Sequence, residues 1–364
     1  MAYTTINKST DYFNTKLYTG NATTNHAQTG VGFQPDWLWI KERGGSGSHI
    51  LVDSVRGVSS SSSPFIRTNA NGAETTNNLN DFIKSLDSDG FTLGADSYFT
   101  DVNKNNSTYT AWNWKAGNSA GSSNTDGSIN TTSTSVNTTA GFSISKYTGT
   151  GSNATIGHGL GAVPKMIIVK NLDQNDDWYV YHVSRGATKH IILNSTGSGG
   201  TNSTLWQDTT PTSSVFSIGT NNVVNTNGED YIAYCFAEKT GYNKFGSYTG
   251  NGSTNGTFVY TGFKPVWVMI KNQTSGSYKS WSIFDTTRQT VNVNAGKTLY
   301  ANQSYPEGRR GQGDSSTTIP AIDMLSNGFK CRVLNDEVNT TNDYIYMAFG
   351  QTLVGSNNVP ATAR

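Results

Sequence analysis

The chain has 364 residues, a formal net charge of +1, 14% charged residues and 11% aromatics. Lys and Arg are scattered, which excludes a nucleic-acid or anionic-membrane surface built on a basic patch. Asn, Thr, Ser and Gly carry the polarity, and the aromatic content excludes a disordered chain.

Residues 1–14 form a polar leader in which Tyr3, Ile6, Tyr12 and Phe13 are available to pack. The start has no apolar core of signal-peptide length, and no run approaches the roughly 18 apolar residues of a membrane span. An extracellular composition without a signal is expected of a protein assembled in a host cytoplasm and released by lysis.

Pro35-Asp-Trp-Leu-Trp-Ile-Lys41 sets the pattern. It returns as Pro164-Lys-Met-Ile-Ile-Val-Lys170 and Pro265-Val-Trp-Val-Met-Ile-Lys271. A Tyr-Thr-Gly precedes each, at Tyr18, Tyr147 and Tyr248, always 17 residues before the proline and 23 before the lysine. Such spacing predicts a threefold internal repeat. The run is apolar on both faces, with Trp37 and Trp39 on one and Leu38 and Ile40 on the other. It reads as a central strand, ended by proline and by a lysine that reaches water. Trp37, Trp39, Trp267 and Trp281 are the expected core.

The following elements recur in order. His49–Asp53, Trp178–His182 and Trp281–Asp285 read as strands. Asp53/Arg56, His182/Arg185 and Asp285/Arg288 come next and read as a brace on the turn. An Ile/Leu-x-x-Asn tetrad ends at Asn69, Asn194 and Asn302. A strand led by Gly90-Phe91, Val215-Phe216 or Gly328-Phe329 comes next, and Asp81–Asp87 could form one short turn. Each unit closes on Tyr-x-Ala at Tyr109, Tyr231 and Tyr346.

Short β-branched and aromatic runs between Gly, Asn, Ser and Thr predict an all-β protein of three tandem antiparallel β-sandwiches, lectin-like or jelly-roll-like. The boundaries fall at 1–117, 141–241 and 242–364. A Ser/Thr/Asn/Gly linker over 118–140 is an insertion of about 21 residues. Ordered, that linker is expected to lie against its own domains or a neighbouring subunit.

Candidate chemistry is sparse. Cys235 and Cys331 are too few for a disulfide scaffold and read as buried thiols. His26, His49, His158, His182 and His190 lack metal-ligand spacing, and Asp173–Asp177 reads as a solvated hairpin tip rather than a calcium loop. Neither a metal nor a cofactor is expected. Tyr179, Tyr181, Trp206, Tyr300 and Tyr305 are candidates for stacking on sugar faces from loops.

Several stretches resemble a known module: Tyr3–Gly20, Gly32-Phe-Gln-Pro-Asp-Trp37, Asp53-Ser-Val-Arg-Gly57, Ser88-Asp-Gly-Phe91, Ala111–Lys115, Gly246–Gly252 and Phe258–Pro265. They resemble the repeat module of virion proteins of marine, cyanophage-like tailed phages. The resemblance spans all three repeats and is weakest in the second. It implies a structural protein of the tail fibre, tail tip or capsid surface, and no catalytic residue carries over.

The expectation is therefore a non-enzymatic virion surface protein. It would be a tail-fibre adhesin, homo-oligomeric, contacting other virion proteins and a host glycan or protein. A capsid decoration protein is the alternative. A polysaccharide depolymerase is the less favoured enzymatic one and would need paired carboxylates in a cleft.

Overall fold

The computed structural model describes residues 4–59, 61–77, 81–276, 278–288, 297–308 and 321–351. It is all-β with antiparallel sheets, and its strands group into three pairs of layers. The first pair comprises β1 (Phe13–Thr19), β2 (His26–Thr29), β3 (Trp37–Glu42), β4 (Ile50–Asp53), β5 (Ser63–Arg67), β6 (Thr75–Asn77), β7 (Ile83–Asp87), β8 (Gly90–Leu93) and β9 (Thr108–Trp114). The second comprises β10 (Ser133–Asn137), β11 (Phe142–Thr148), β12 (Ala154–Gly157), β13 (Pro164–Asn171), β14 (Tyr179–His182), β15 (Lys189–Ile192), β16 (Gly200–Thr201), β17 (Val215–Ile218) and β18 (Asp230–Ala237). The third comprises β19 (Asn243–Thr249), β20 (Phe258–Tyr260), β21 (Lys264–Asn272), β22 (Trp281–Asp285), β23 (Leu299–Tyr300), β24 (Ile322–Leu325), β25 (Gly328–Cys331) and β26 (Asp343–Gln351).

The large sheets share one strand order. It reads β1-β9-β3-β4-β5 in the first, β11-β18-β13-β14-β15 in the second and β19-β26-β21-β22-β23 in the third. The Pro-to-Lys run is the third strand each time, hydrogen-bonded on both sides. Its two apolar faces have separate uses. Leu38 and Ile40 face a small sheet, β2-β8-β7, and fill the interior between the layers. Trp37 and Trp39 face the other way, into one cluster shared by all three large sheets. Met166 and Ile168, Trp267 and Met269, and Trp112, Trp114, Phe142, Phe236 and Phe349 join them there.

Each Tyr-Thr-Gly tyrosine has the same job. Tyr18, Tyr147 and Tyr248 donate to the carbonyls of Val102, Val224 and Val338 at 2.7, 2.8 and 2.6 Å. Each stacks on the tyrosine opposite it, Tyr109, Tyr231 or Tyr344, with ring centroids 5.0, 5.2 and 5.0 Å apart. The third closing motif therefore begins at Tyr344, not Tyr346. Tyr-x-Ala matched two residues late because Tyr346 precedes Ala348. The Asn of each tetrad accepts the backbone N–H that opens the β4-type strand: Asn69 from His49, Asn194 from Trp178 and Asn302 from Trp281.

Four expectations need correction. The 118–140 stretch lies against its own domains, as expected of an ordered segment, but it does so partly as a strand and is not a flexible linker. Ser133–Asn137 is β10, paired with β11, and Ile129 bridges Ile156 alongside β12. Its hydroxyls bury by bonding one another, as in the Thr131–Thr134–Ser145 chain at 2.9 and 3.1 Å. Asp81–Asp87 is not a turn, since Ile83–Asp87 pairs as β7. Lys41, Lys170 and Lys271 do not reach water: all are fully buried. The chain beyond each strand curls back so that main-chain carbonyls, Glu42 and Gly45 for Lys41, surround the ammonium. Burial pushes Lys41 and Lys170 down to about 8 and Lys271 to about 7. Finally, His182 and Arg185 form no brace, as described below. Cys235 and Cys331 are buried free thiols. Tyr3, part of the polar leader, lies outside the described residues.

Candidate functional site: an aromatic face on the third sheet pair

The predicted aromatics do not converge. Tyr181 and Trp206 are buried in the interior of the second pair, with Tyr179 packed against it and tilted over His190. Tyr300 is buried in the third pair and donates to Glu337 Oε1 at 2.8 Å, while Tyr305 is half-buried. Strand alternation turned Tyr181 and Tyr300 inward, so these residues build structure and offer no common stacking surface.

The braces are real in two pairs. Asp53 Oδ2 accepts from Arg56 Nε at 2.6 Å, and Asp285 Oδ2 likewise from Arg288. Both also reach across a boundary between pairs. Asp53 accepts from Tyr234 Oη at 2.7 Å and Asp285 from Trp112 Nε1 at 2.9 Å. At the third boundary His182 replaces the carboxylate. Its Nδ1 accepts the Ser184 N–H, so Nε2 carries the proton and donates to the Tyr346 carbonyl at 3.2 Å. Arg185 turns away to Gln273 Oε1 at 3.1 Å. The reason is local. In register, Trp112 and Tyr234 correspond to Met347, which has no proton to donate. A donor on the brace side takes over.

A second ring of contacts follows the same circuit. Trp178 Nε1 donates to the carbonyls of Arg67 and Ala70, each at 3.1 Å, and Trp281 Nε1 to that of Ile192 at 2.9 Å. The corresponding residue of the first pair is His49. Its Nδ1 accepts from Trp39 Nε1 at 2.8 Å. Its Nε2–H faces the Tyr300 and Gln303 carbonyls without the alignment of a full hydrogen bond. The three pairs thus contact one another in a closed cycle.

Burial holds His182 down at about 4 and His49 well below its usual value. Protonation would cost each Nδ1 its buried donor. The unfolded histidines bind protons near 6.5, so between that pH and the folded value the unfolded chain holds more protons. Stability is therefore expected to be full above about pH 6.5 and to fall progressively toward pH 4. Denaturant midpoints at pH 7, 5 and 4 check this. His182→Gln keeps an amide donor and should flatten part of the fall.

Apart from these rings, one surface distinguishes the third pair. Phe258 and Tyr260 on β20 are 45% and 55% exposed, while Val259 between them faces the interior. Phe258 lies directly opposite Lys330 of β25. Lys244 Nζ of β19 sits 5.6 Å from the centre of the Tyr260 ring, a cation–π contact. Lys330 Nζ donates to Asn255 Oδ1 at 2.7 Å.

The same four positions elsewhere are small or polar. By register Phe258, Tyr260, Lys330 and Lys244 correspond to Ala27, Thr29, Thr92 and Asn14 in the first pair, and to Thr155, Gly157, Ser217 and Ser143 in the second. In the second pair Ile129 and Ser128 also cover this strand's edge. The signal was in the sequence, as Phe-Val-Tyr where the other two copies read Ala-Gln-Thr and Thr-Ile-Gly.

Among the described residues no group of three His, Cys, Asp or Glu could hold a metal ion, and no helix is long and apolar enough to cross a membrane. Asp173, Asp176 and Asp177 of the suspected hairpin tip accept from Asp230 N, Asn171 Nδ2 and Asn194 Nδ2.

The fold and this face define an all-β protein whose third sheet pair exposes two aromatic rings on one strand. The chain belongs to the family described as Domain of unknown function (DUF7483), whose model matches residues 8–352. No curated protein and no solved structure matches it.

Proposed function

We propose that this is a non-enzymatic surface protein of a phage particle, a tail-fibre or adhesin component that attaches the particle to its host. The three sheet pairs are read as tandem copies of one β-sandwich module, bounded near residues 117, 140 and 241. The first two are scaffold and the third carries the contact surface. The observation that carries this reading is the change at four corresponding positions, where Phe258, Tyr260, Lys244 and Lys330 replace small or polar residues on one exposed face. Exposed aromatic rings flanked by cations are costly to leave in water and suit a ligand. With one such face among the described residues, multivalent binding would come from several copies of the chain in the virion.

The test is adsorption of particles carrying F258A and Y260T, the residues of the first pair, together with gold labelling of the chain on intact particles. Attachment is expected to fall at least tenfold and label to lie at the distal tail. Normal adsorption by both variants would sink the reading. The closed cycle of sheet pairs favours a second reading, a decoration protein seated at a threefold site of the shell. Label spread over the head would support that instead.

A further inference from the structure

The geometry points to a specific ligand class for the face of β20 and β25: an acidic polysaccharide whose sugar rings carry carboxylates. This rests on the attachment reading above. Phe258 and Tyr260 stand two residues apart on one strand, so their rings emerge on the same face about 7 Å apart. Phe258 has no polar atom and can only offer its ring, which suits the apolar C–H face of a sugar. A cation stands beside each ring, Lys330 opposite Phe258 and Lys244 near Tyr260.

The local charge balance is positive. Asp323 of β24 faces Lys330 across the sheet, but Arg332 engages it at 2.8 Å. Among the described residues the hydrogen-bond partner of Lys330 is a neutral amide, and none of them forms an ion pair with it. A neutral glycan stacked on the rings would partly desolvate two ammonium groups and return only neutral hydroxyl acceptors to them. Carboxylates on successive sugars would meet them with charge-assisted hydrogen bonds.

The experiment uses the full chain and calorimetric titration with three hexamers: galacturonate, sialic acid and neutral galactose. The four variants F258A, Y260T, K244N and K330T carry the first pair's residues, which this fold already accepts at those positions. Unchanged melting temperatures verify that they fold. At least one acidic hexamer is expected to bind, more weakly as salt rises. K244N and K330T should each weaken it roughly tenfold, and F258A and Y260T should weaken it too. Equal binding of the galactose hexamer, or indifference to K244N and K330T, would overturn the acidic class while leaving the attachment reading intact. Binding of neither acidic hexamer would also overturn the inference. The adsorption experiment then judges attachment separately.

Discussion

Trp267→Ala is expected to lower the stability of the whole chain by about 3 to 5 kcal/mol, the range for a large buried aromatic. Trp267 of β21 is fully buried in the cluster that all three large sheets share. Its ring lies within 6.2 Å of Phe13 and Trp112, 5.5 Å of Trp114 and 6.0 Å of Phe349. Three of those four rings come from the first pair, so the cavity would open at the junction. Trp39→Ala should cost a similar amount, since Trp39 is fully buried and donates to His49. Urea unfolding followed by tryptophan fluorescence and by circular dichroism would check both. The two probes should move together in one transition, because the pairs share this core. A midpoint unchanged by either substitution would contradict the assignment of the central strand.

Asp285→Ala should be comparably damaging, at about 3 to 5 kcal/mol, for an electrostatic reason. Asp285 and Arg288 are both buried, with no exposed side-chain area. The carboxylate accepts from Arg288 Nε, from the backbone N–H of Thr287 and Arg288, and from Trp112 Nε1. Removing it leaves a guanidinium in the interior with only Glu307 Oε1, 3.2 Å away, as a carboxylate partner. Breaking one side of a buried pair costs far more than the pair contributes, because the remaining charge stays desolvated. Asp285→Asn tests the division of labour. It keeps the acceptor for the backbone and should recover part of the loss, while the charge term persists. Equal stability of wild type and Asp285→Ala would remove the brace from the account.

The succession of elements along the chain was legible because its markers are local, whereas their order within each sheet was not. The constant Tyr–Pro–Lys spacing located β3 and its counterparts, and alternation along Trp37–Ile40 assigned both faces of β3. What the second face packs against was not legible. The partners Trp112, Tyr234 and Tyr346 lie 173, 181 and 164 positions from Asp285, Asp53 and His182. The braces were therefore read as local and their cross-boundary contacts missed. The lysines misled for a similar reason. A lysine at a strand end ordinarily extends to water, but here carbonyls of the following turn hold it inside, joined for Lys271 by the Thr196 carbonyl of the second pair. Sugar-stacking candidates were chosen for residue type alone, which selected the inward Tyr181 and passed over the outward Phe258. Comparing corresponding positions across the copies would have found it.

The two ends of the described chain are hydrogen-bonded to each other. Ser9 N–H donates to Gln351 Oε1 at 2.7 Å, and Gln351 Nε2 donates to the Asn7 carbonyl at 3.2 Å. The segment before β1 thus meets the end of β26, and Phe13 stacks on Phe349 at 5.4 Å. A loop whose ends touch has no privileged starting point. For the described residues, a permuted order that begins near residue 118 and joins the third pair to the first is expected to keep the same contacts. Order of synthesis and final architecture are, in this molecule, separable properties.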